Sequence, residues 1–169
     1  LEDGGCEIVL VNQPALEKIA FGGRSEGIVA VAATPTADIS AIAVHDQMLV
    51  AVLENVETPG NVGAILRSAA AAGVSAVIVA DEGTDLYNPN SIRASAGTIF
   101  SLPAAACSSE QVLAWLRQHG FKMFATRVDG ASAYTSVRYD NRSAIVLGSE
   151  ADGLSDAWLA EDVTPVLVP

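Results

Sequence analysis

The sequence is poor in cysteine and lacks long apolar runs. Its two cysteines, Cys6 and Cys107, are too few for a disulfide framework and lack metal-ligand spacing, so we expect reduced thiols in a cytoplasmic protein and no metal site. The weakly polar stretch of residues 69–80 is interrupted by Gly73 and Ser75 and is shorter than the roughly 20 residues of a membrane span. No charged segment followed by an apolar one opens the chain, so we expect no signal peptide.

Basic residues are scarce as well. Nine lysines and arginines stand against 20 aspartates and glutamates, which gives a net charge of −11. Proteins that bind nucleic acid usually carry basic patches, because phosphate neutralisation supplies much of their affinity. Composition alone therefore does not suggest an RNA partner. More than half of the basic residues nevertheless fall in one stretch, where we expect a local basic face. These residues are Arg117, Lys122, Arg127, Arg138 and Arg142.

The overall composition is typical of a globular domain, since half of the residues are apolar and 17% are charged. At 169 residues the chain suits one domain and a short additional segment. That segment comes first: strands are predicted over residues 7–11 and 27–33, a helix over residues 14–20, and a linker over residues 34–38.

A regular alternation of apolar strands and amphipathic helices begins at Met48. Because the strands are apolar throughout, the predicted fold class is α/β: a mostly parallel sheet with helices on both faces. The predicted strands cover residues 48–53, 74–80, 98–102, 121–126, 143–148 and 163–168, and the predicted helices cover residues 61–72, 89–96 and 108–119. Ligands of such sheets bind at the carboxyl ends of the strands, so the candidate site residues are those that follow the strands.

Residues 54–67 follow the first of these strands and open a helix, whose first backbone N–H groups are available to a ligand. The segment has no G-x-G-x-x-G dinucleotide fingerprint. Asn61 and Arg67 lie less than two turns apart on this helix, so we expect both to face the strand ends. An N-cap role for Asn61 and an ordinary surface role for Arg67 explain the same residues without a ligand.

Residues 145–155 run from a buried strand into a turn in which Gly148 and Gly153 flank Glu150. The glycine spacing is that of a phosphate-binding loop, but Leu154 stands where that loop needs a lysine. The segment therefore favours a flat, mostly neutral ligand such as an adenosine, with one carboxylate beside it.

A third segment, residues 88–97, places Arg93 among small residues, where it can meet a phosphate. A capped short helix explains this pattern equally well. His45 and His119 are expected to be ordinary surface or core histidines, and no zinc pattern or nucleophile elbow stands out.

Taken together, the three segments resemble the SpoU (TrmH) family of the SPOUT methyltransferase superfamily. The resemblance covers residues 48–169 and rests on three motifs in the family's order: N-x-G-x-x-x-R, then R-x-S-x-G, then a strand followed by G-x-E-x-x-G. The matching residues are Asn61, Gly63 and Arg67, then Arg93, Ser95 and Gly97, then Gly148, Glu150 and Gly153.

The resemblance implies a SPOUT-type fold with a C-terminal trefoil knot. The family's last motif, a strand ending in Pro that continues into a Ser-Leu-Asn helix, is matched only as far as residues 166–169. We therefore expect a catalytic domain over residues 46–169 that is incomplete at its C-terminus. We expect residues 1–38 to be the remnant and linker of a ribosomal-protein-like RNA-binding domain, which often precedes this catalytic domain.

The resemblance also implies a function: a homodimer would transfer a methyl group from S-adenosylmethionine to a ribose 2′-hydroxyl of structured RNA, with 23S ribosomal RNA favoured over transfer RNA. Family precedent gives catalysis to Arg67, helped by Asn61 and Glu150. The resemblance assigns two further sets of residues: cofactor binding to Thr126, Leu147, Gly148, Gly153 and Val168, and RNA binding to Arg67, Arg93 and Ser95.

Two other classes of protein stay open. A non-enzymatic RNA-binding module on the same fold would not need Arg67 and Glu150 together and would not bind the cofactor. A doubly wound nucleotide-binding enzyme such as a reductase is disfavoured, because the glycine fingerprint of that class is missing.

Overall fold

The structure is a computed structural model that describes residues 6–23, 27–81, 83–129 and 132–168. It divides into two compact units, Leu1–Thr34 and Pro35–Pro169, and the division falls in the segment predicted as a linker. Among the described residues, no helix has the length and apolar character needed to cross a membrane.

The first unit contains the helix α1 (Gln13–Ile19), whose first turn is capped by the side chain of Asn12. This helix confirms the prediction for residues 14–20. The strands predicted over residues 7–11 and 27–33 are wrong, because the described residues there join no ladder. A strand is stable only when it is paired, and an apolar sequence does not by itself supply a partner.

The second unit is built around one sheet of seven strands, and the six pairings between them are all parallel. The strands are β1 (Met48–Glu54), β2 (Ala76–Ala80), β3 (Ala104–Cys107), β4 (Lys122–Thr126), β5 (Ser132–Ala133), β6 (Arg142–Leu147) and β7 (Val163–Leu167). Their order across the sheet is β3-β2-β1-β6-β4-β7-β5. The predicted α/β class with a mostly parallel sheet is confirmed. The trefoil knot stays a prediction, since the described residues do not include the segment that would form it.

Three α-helices of this unit lie between the strands in sequence: α2 (Pro59–Ala71), α3 (Pro89–Ala94) and α4 (Ser109–Gln118). α2 ends just before Gly73, whose φ of +75° is that of the predicted C-terminal glycine. α4 begins with a capping box, in which the Ser108 hydroxyl accepts from the Gln111 N–H and the Gln111 side chain accepts from the Ser108 N–H. The end of α2 and the start of α4 are therefore fixed by residue types that are visible in the sequence.

The helices cover both faces of the sheet, as predicted. Successive residues of a strand point to opposite faces, so Val50 and Val52 of β1 pack in the core that contains α4, whereas Ala51 and Leu53 pack in the core that contains α2. All four side chains are buried. A strand that is covered on both faces reads as a continuous apolar run, which is why β1 is predictable.

The strand predicted over residues 98–102 is wrong. Thr98–Phe100 forms a 3₁₀ turn that starts at Gly97, which adopts a φ of +87°, and the strand of the sheet is β3, which follows Pro103. β3 consists of three alanines and a cysteine, and alanine is depleted in strands. Its pairing with β2 makes it a strand, and that long-range contact is invisible in the local sequence.

The chain changes direction across the sheet beside β1. β1 lies between β2 and β6, and from β1 the chain proceeds to β2 and β3 on one side before it crosses to the other. Ligand sites of open parallel sheets lie at the carboxyl ends of the strands at such a point. Leu53 pairs with Leu147 in the sheet register, so the segments that follow β1 and β6 begin next to each other.

Candidate active site

A cleft of about 530 Å³ opens at the carboxyl ends of β1 and β6. Its walls are the start of α2 and the turn after β6, residues 148–154, which we call the Gly148 loop. The volume lies in the range of about 300–1,000 Å³ that is typical of small-molecule sites. The lining residues are Val56, Glu57, Thr58, Asn61, Ala64 and Ile65 on one wall, and Leu147, Gly148, Ser149, Glu150 and Ala151 on the other. A larger cleft, of about 620 Å³, lies beside the first residues of β1 and β6 and contains none of the predicted site residues.

Asn61 lies in the first turn of α2 and lines the cleft. The helix begins at Pro59 rather than at Asn61, with Thr58 as the N-cap residue, and a proline in the first turn lacks only an N–H that has no helical partner. Asn61 is therefore inside the helix and is not its cap. Its Nδ2 donates to Glu150 Oε1 at 3.3 Å, across 89 residues of sequence. The structure thus brings together two of the three predicted catalytic residues.

The Gly148 loop is closed by hydrogen bonds of its own. Ser149 and Gly153 exchange two backbone N–H···O bonds of 3.1 Å, and the Ser149 hydroxyl accepts from the Asp152 N–H. A Cβ added to Gly148 would lie 2.3 Å from the carbonyl carbon and oxygen of Gly153, so no other residue fits there. Gly153 itself has a φ of +73°. The two motif glycines let the turn close tightly, with Glu150 exposed on it.

Arg67 is exposed on α2 and does not line the cleft. It lies six residues beyond Asn61, which corresponds to about 9 Å along the helix axis and about 120° around it. The expectation that both residues face the strand ends is therefore met for Asn61 only. Within the described part of the chain the Arg67 guanidinium enters no ion pair, so it is not committed to an internal contact.

Arg93 and Ser95 belong to the same motif, but their side chains differ in exposure. Arg93 is exposed in the last turn of α3, whereas Ser95 is fully buried and its hydroxyl donates to the Ile92 carbonyl oxygen at 2.8 Å. The buried Ser95 side chain presents no surface to RNA in this structure, and its expected RNA contact stays a prediction. α3 packs directly on α2 here, and a Cβ on Gly63 would lie 2.4 Å from the Ser91 carbonyl oxygen. The small residues of the motif thus serve helix packing.

The other residues expected to bind a cofactor lie at the ends of neighbouring strands. Thr126 ends β4, and its hydroxyl donates to the Val146 carbonyl oxygen of β6 at 2.9 Å. Leu147 ends β6 and lines the cleft, and Val168 follows β7 and is exposed. Because β6, β4 and β7 are adjacent, these three ends lie side by side. Apolar side chains beside the tight backbone of the Gly148 loop fit a flat ligand such as an adenosine, and among the described residues no cluster of His, Cys, Asp and Glu suits a metal ion.

Residues 48–169 match the model of the SpoU rRNA Methylase family. The chain belongs to this family. One relative, the 23S rRNA (uridine(2479)-2'-O)-methyltransferase of Streptomyces viridochromogenes, is 34% identical over an alignment of 137 residues that covers 78% of this chain and 48% of that protein. The chain therefore spans about half the length of this relative.

Solved structures of other proteins share the fold of the second unit. The SpoU methyltransferase AviRb from Streptomyces viridochromogenes, solved in complex with the cofactor AdoMet, gives a TM-score of 0.72 at 30% identity, over 80% of this chain and 54% of that chain. A protein solved to explain the 2-OH methylation of C/U34 on tRNA gives a TM-score of 0.66 at 26% identity, over 74% of this chain and 82% of that chain. The second unit therefore has the SPOUT fold of these methyltransferases.

The expected basic face of this SpoU chain is neutralised by acids and lies mostly away from the cleft. Each of the five clustered basic residues pairs with an aspartate. The pairs are Arg117–Asp162, Lys122–Asp140, Arg127–Asp129, Arg138–Asp140 and Arg142–Asp46. Lys122 and Arg142 are the first residues of β4 and β6, at the edge opposite to the cleft. Arg127 follows β4 at the cleft edge, and its hydrogen bonds hold the pKa of Asp129 below the ordinary value.

Two acids at the ends of neighbouring strands, Glu54 and Asp81, make contacts that the sequence alone does not reveal. Glu54 ends β1 and is buried. Asp81 follows β2 with a φ of +49°, and its carboxylate accepts from the Ser109 N–H at the start of α4. An acid that closes an otherwise apolar strand is the signal that points to Glu54.

Proposed function

We propose that the chain is the catalytic part of an enzyme that methylates a ribose 2′-hydroxyl of RNA with S-adenosylmethionine as the methyl donor. The observation that carries the proposal is the contact of 3.3 Å between Asn61 and Glu150, which joins two separate family motifs across one cleft. Membership of the SpoU family and the similarity to AviRb, which was solved with AdoMet, support it.

The cofactor would be held by the neighbouring ends of β6, β4 and β7. Leu147 supplies apolar surface, Gly148 supplies close-packed backbone, and Thr126 and Val168 lie at the adjoining strand ends. S-adenosylmethionine supplies a methyl group that is already activated by the sulfonium. The chain's own task is therefore to align the two reactants and to improve the nucleophile.

A ribose hydroxyl becomes a good nucleophile only as its proton leaves. A guanidinium group offers five N–H donors and no acceptor, so we assign Arg67 to stabilising the developing alkoxide and to holding the adjacent phosphate with its fork of N–H donors. Its exposure and its lack of an internal ion pair among the described residues support this role. Asn61 would hold the Glu150 carboxylate at the cleft through their hydrogen bond.

We favour 23S ribosomal RNA as the substrate, because the relative from Streptomyces viridochromogenes is named for that RNA. Transfer RNA is the second candidate, and the similarity to the protein solved for methylation of C/U34 on tRNA favours it. We also propose a homodimer, because an RNA that reaches two subunits meets twice the number of exposed arginines such as Arg67 and Arg93.

Calorimetric titration of the purified protein with S-adenosylmethionine tests the cofactor site. We expect micromolar binding that Gly148→Trp abolishes, since even a Cβ at that position has no room. Gly73→Ala is the matched control: it places an alanine at a φ of +75° with no heavy atom within 4 Å, so it strains the backbone away from the cleft and should leave binding intact. Absence of binding by the folded, unaltered protein contradicts the enzyme proposal and favours the RNA-binding module.

A further inference from the structure

Glu54 is a buried carboxylate at the last position of β1, with 2% of its surface exposed. A buried carboxylate is strongly unfavourable unless its oxygens are hydrogen-bonded, and here four donors lie at 2.7 Å. Oε1 accepts from the Ser109 hydroxyl, the Ser155 hydroxyl and Trp158 Nε1, and Oε2 accepts from the Ser155 backbone N–H. The network joins β1 to the start of α4 and to the segment that follows the Gly148 loop.

Ser155 connects this network to the cleft, because it directly follows the Gly148 loop. The Gly148 loop leaves the sheet after Leu147, which pairs with Leu53, and it ends at Leu154, immediately before Ser155. Two consecutive residues of β1 therefore hold the two ends of the loop: Leu53 through the sheet register and Glu54 through its carboxylate. The internal hydrogen bonds of the loop fix its shape, but these two anchors fix its place.

The opposite wall of the cleft also starts from the end of β1, since α2 begins at Pro59, five residues beyond Glu54. We propose that Glu54 is a positioning residue of the active site. By holding Ser155 it sets the Gly148 loop at the distance from α2 at which Glu150 meets Asn61 and the cofactor is bound. The inference rests on the proposed function of the cleft, and it assigns Glu54 no contact with substrate or cofactor.

The variant Glu54→Gln weakens the network with almost no change in shape. Oε1 receives a hydrogen from Trp158 Nε1 and Oε2 receives one from the Ser155 N–H, and neither of these nitrogens can accept. The amide NH₂ of a glutamine would therefore face an N–H group in both of its orientations. In either orientation at least one hydrogen bond is replaced by two opposed N–H groups, so we expect the anchor of the loop to weaken whichever way the amide turns.

Ser155→Ala and Ser143→Ala form a matched pair that separates positioning from stability. Ser155 donates its hydroxyl to Glu54. Ser143 is buried at the opposite edge of the sheet, where its hydroxyl donates to the Asp140 carbonyl oxygen and accepts from the Asp140 N–H. Both variants should lower the denaturation midpoint. Ser155→Ala and Glu54→Gln should also weaken binding of S-adenosylmethionine by about tenfold, as expected for a lost hydrogen bond to a charged group, whereas Ser143→Ala should leave it unchanged.

Amide hydrogen exchange without the cofactor gives a second reading. In Ser155→Ala and Glu54→Gln we expect faster exchange at the amides of Gly153 and Ser155, which are hydrogen-bonded in this structure, beyond any change in β2. Equal cofactor affinity in all variants, with exchange that rises uniformly, would overturn the inference and leave Glu54 a purely structural residue. If the unaltered protein binds no cofactor, the proposed function fails, and the exchange data still decide whether Glu54 positions the loop.

Discussion

Among single residues, Arg67 is the one on which the proposed chemistry depends most. Arg67→Ala is expected to slow methyl transfer at saturating cofactor by about 10²–10³-fold, the usual loss when a donor to a developing oxyanion is removed. The affinity for S-adenosylmethionine should not change, because Arg67 does not line the cleft. Single-turnover rates and calorimetry measure the two quantities separately.

The rate of methyl transfer by Arg67→Lys should lie between the rates of the unaltered protein and of Arg67→Ala, since lysine keeps the charge but not the fork of donors. Arg138→Ala is a matched control, because Arg138 is 92% exposed and pairs loosely with Asp140. A full rate in Arg67→Ala would remove Arg67 from the mechanism.

The motif residues show what a sequence reveals at this scale. Spacing identified Asn61, Gly148 and Glu150, and the structure places all three at one cleft. Spacing does not reveal which way a side chain faces, so Ser95 was expected to touch RNA although it is buried. Glu54 was missed for a related reason: its partners lie 55–104 residues away in sequence, and only the fold brings them together.

Among the elements, the packing of α3 on α2 gives a prediction for stability. Gly63→Ala is expected to destabilise the protein by about 1–3 kcal/mol, because the new Cβ would lie 2.4 Å from the Ser91 carbonyl oxygen and the two helices would have to separate. Gly60→Ala on the same helix meets only Thr58 Cγ2 at 4.0 Å and should stabilise α2 by less than about 1 kcal/mol. Chemical denaturation measures the stability of both variants, and equal denaturation midpoints would contradict the close packing of α3 on α2.

The Arg117–Asp162 pair ties the end of α4 to the start of β7 and gives a prediction for pH. The hydrogen bond from Arg117 lowers the pKa of Asp162 from its ordinary value of 3.8. Stabilisation by a carboxyl whose pKa is lowered on folding is present above its unfolded pKa and is lost as the pH falls through the folded one. Both side chains are about half exposed, so solvent screening limits the contribution to about 1 kcal/mol or less.

Asp162→Asn should therefore lower the free energy of unfolding at pH 7 and make no difference near pH 2. Denaturant titrations at both pH values measure this change in the free energy of unfolding. In an Arg117→Gln background the same substitution should have little effect at either pH. An equal loss at both pH values would show that the carboxylate charge is not the cause.

Most of the strands that were predictable share one physical property. β1, β2, β4 and β6 read as largely apolar runs bounded by turn residues, because neighbours on both faces bury most of their side chains. β7 is buried only at Val163 and Val166 and was predicted from its β-branched residues. β3 is made of small residues whose pairing with β2 decides their conformation, and β5 has only two residues, so neither was predicted.

For the whole molecule, the arrangement of charge makes a prediction about RNA binding. Most of the clustered basic residues are paired with aspartates at the edge away from the cleft. Arg67→Ala should therefore reduce the slope of log affinity against log salt concentration by about 0.7–0.9, the value for one lost phosphate contact. Arg138→Ala should leave the slope unchanged. Equal slopes in both variants would show that Arg67 makes no phosphate contact.

The central claim is that this chain directs a methyl group to a ribose 2′-oxygen of RNA. It is tested most directly by supplying labelled S-adenosylmethionine and unmodified ribosomal RNA, then hydrolysing the product with alkali, since a 2′-O-methyl group blocks cleavage at its own phosphodiester. The account predicts label in alkali-resistant dinucleotides of 23S ribosomal RNA, lost in Arg67→Ala. Label in mononucleotides, or no transfer to ribosomal or transfer RNA by a protein that binds the cofactor, would contradict it.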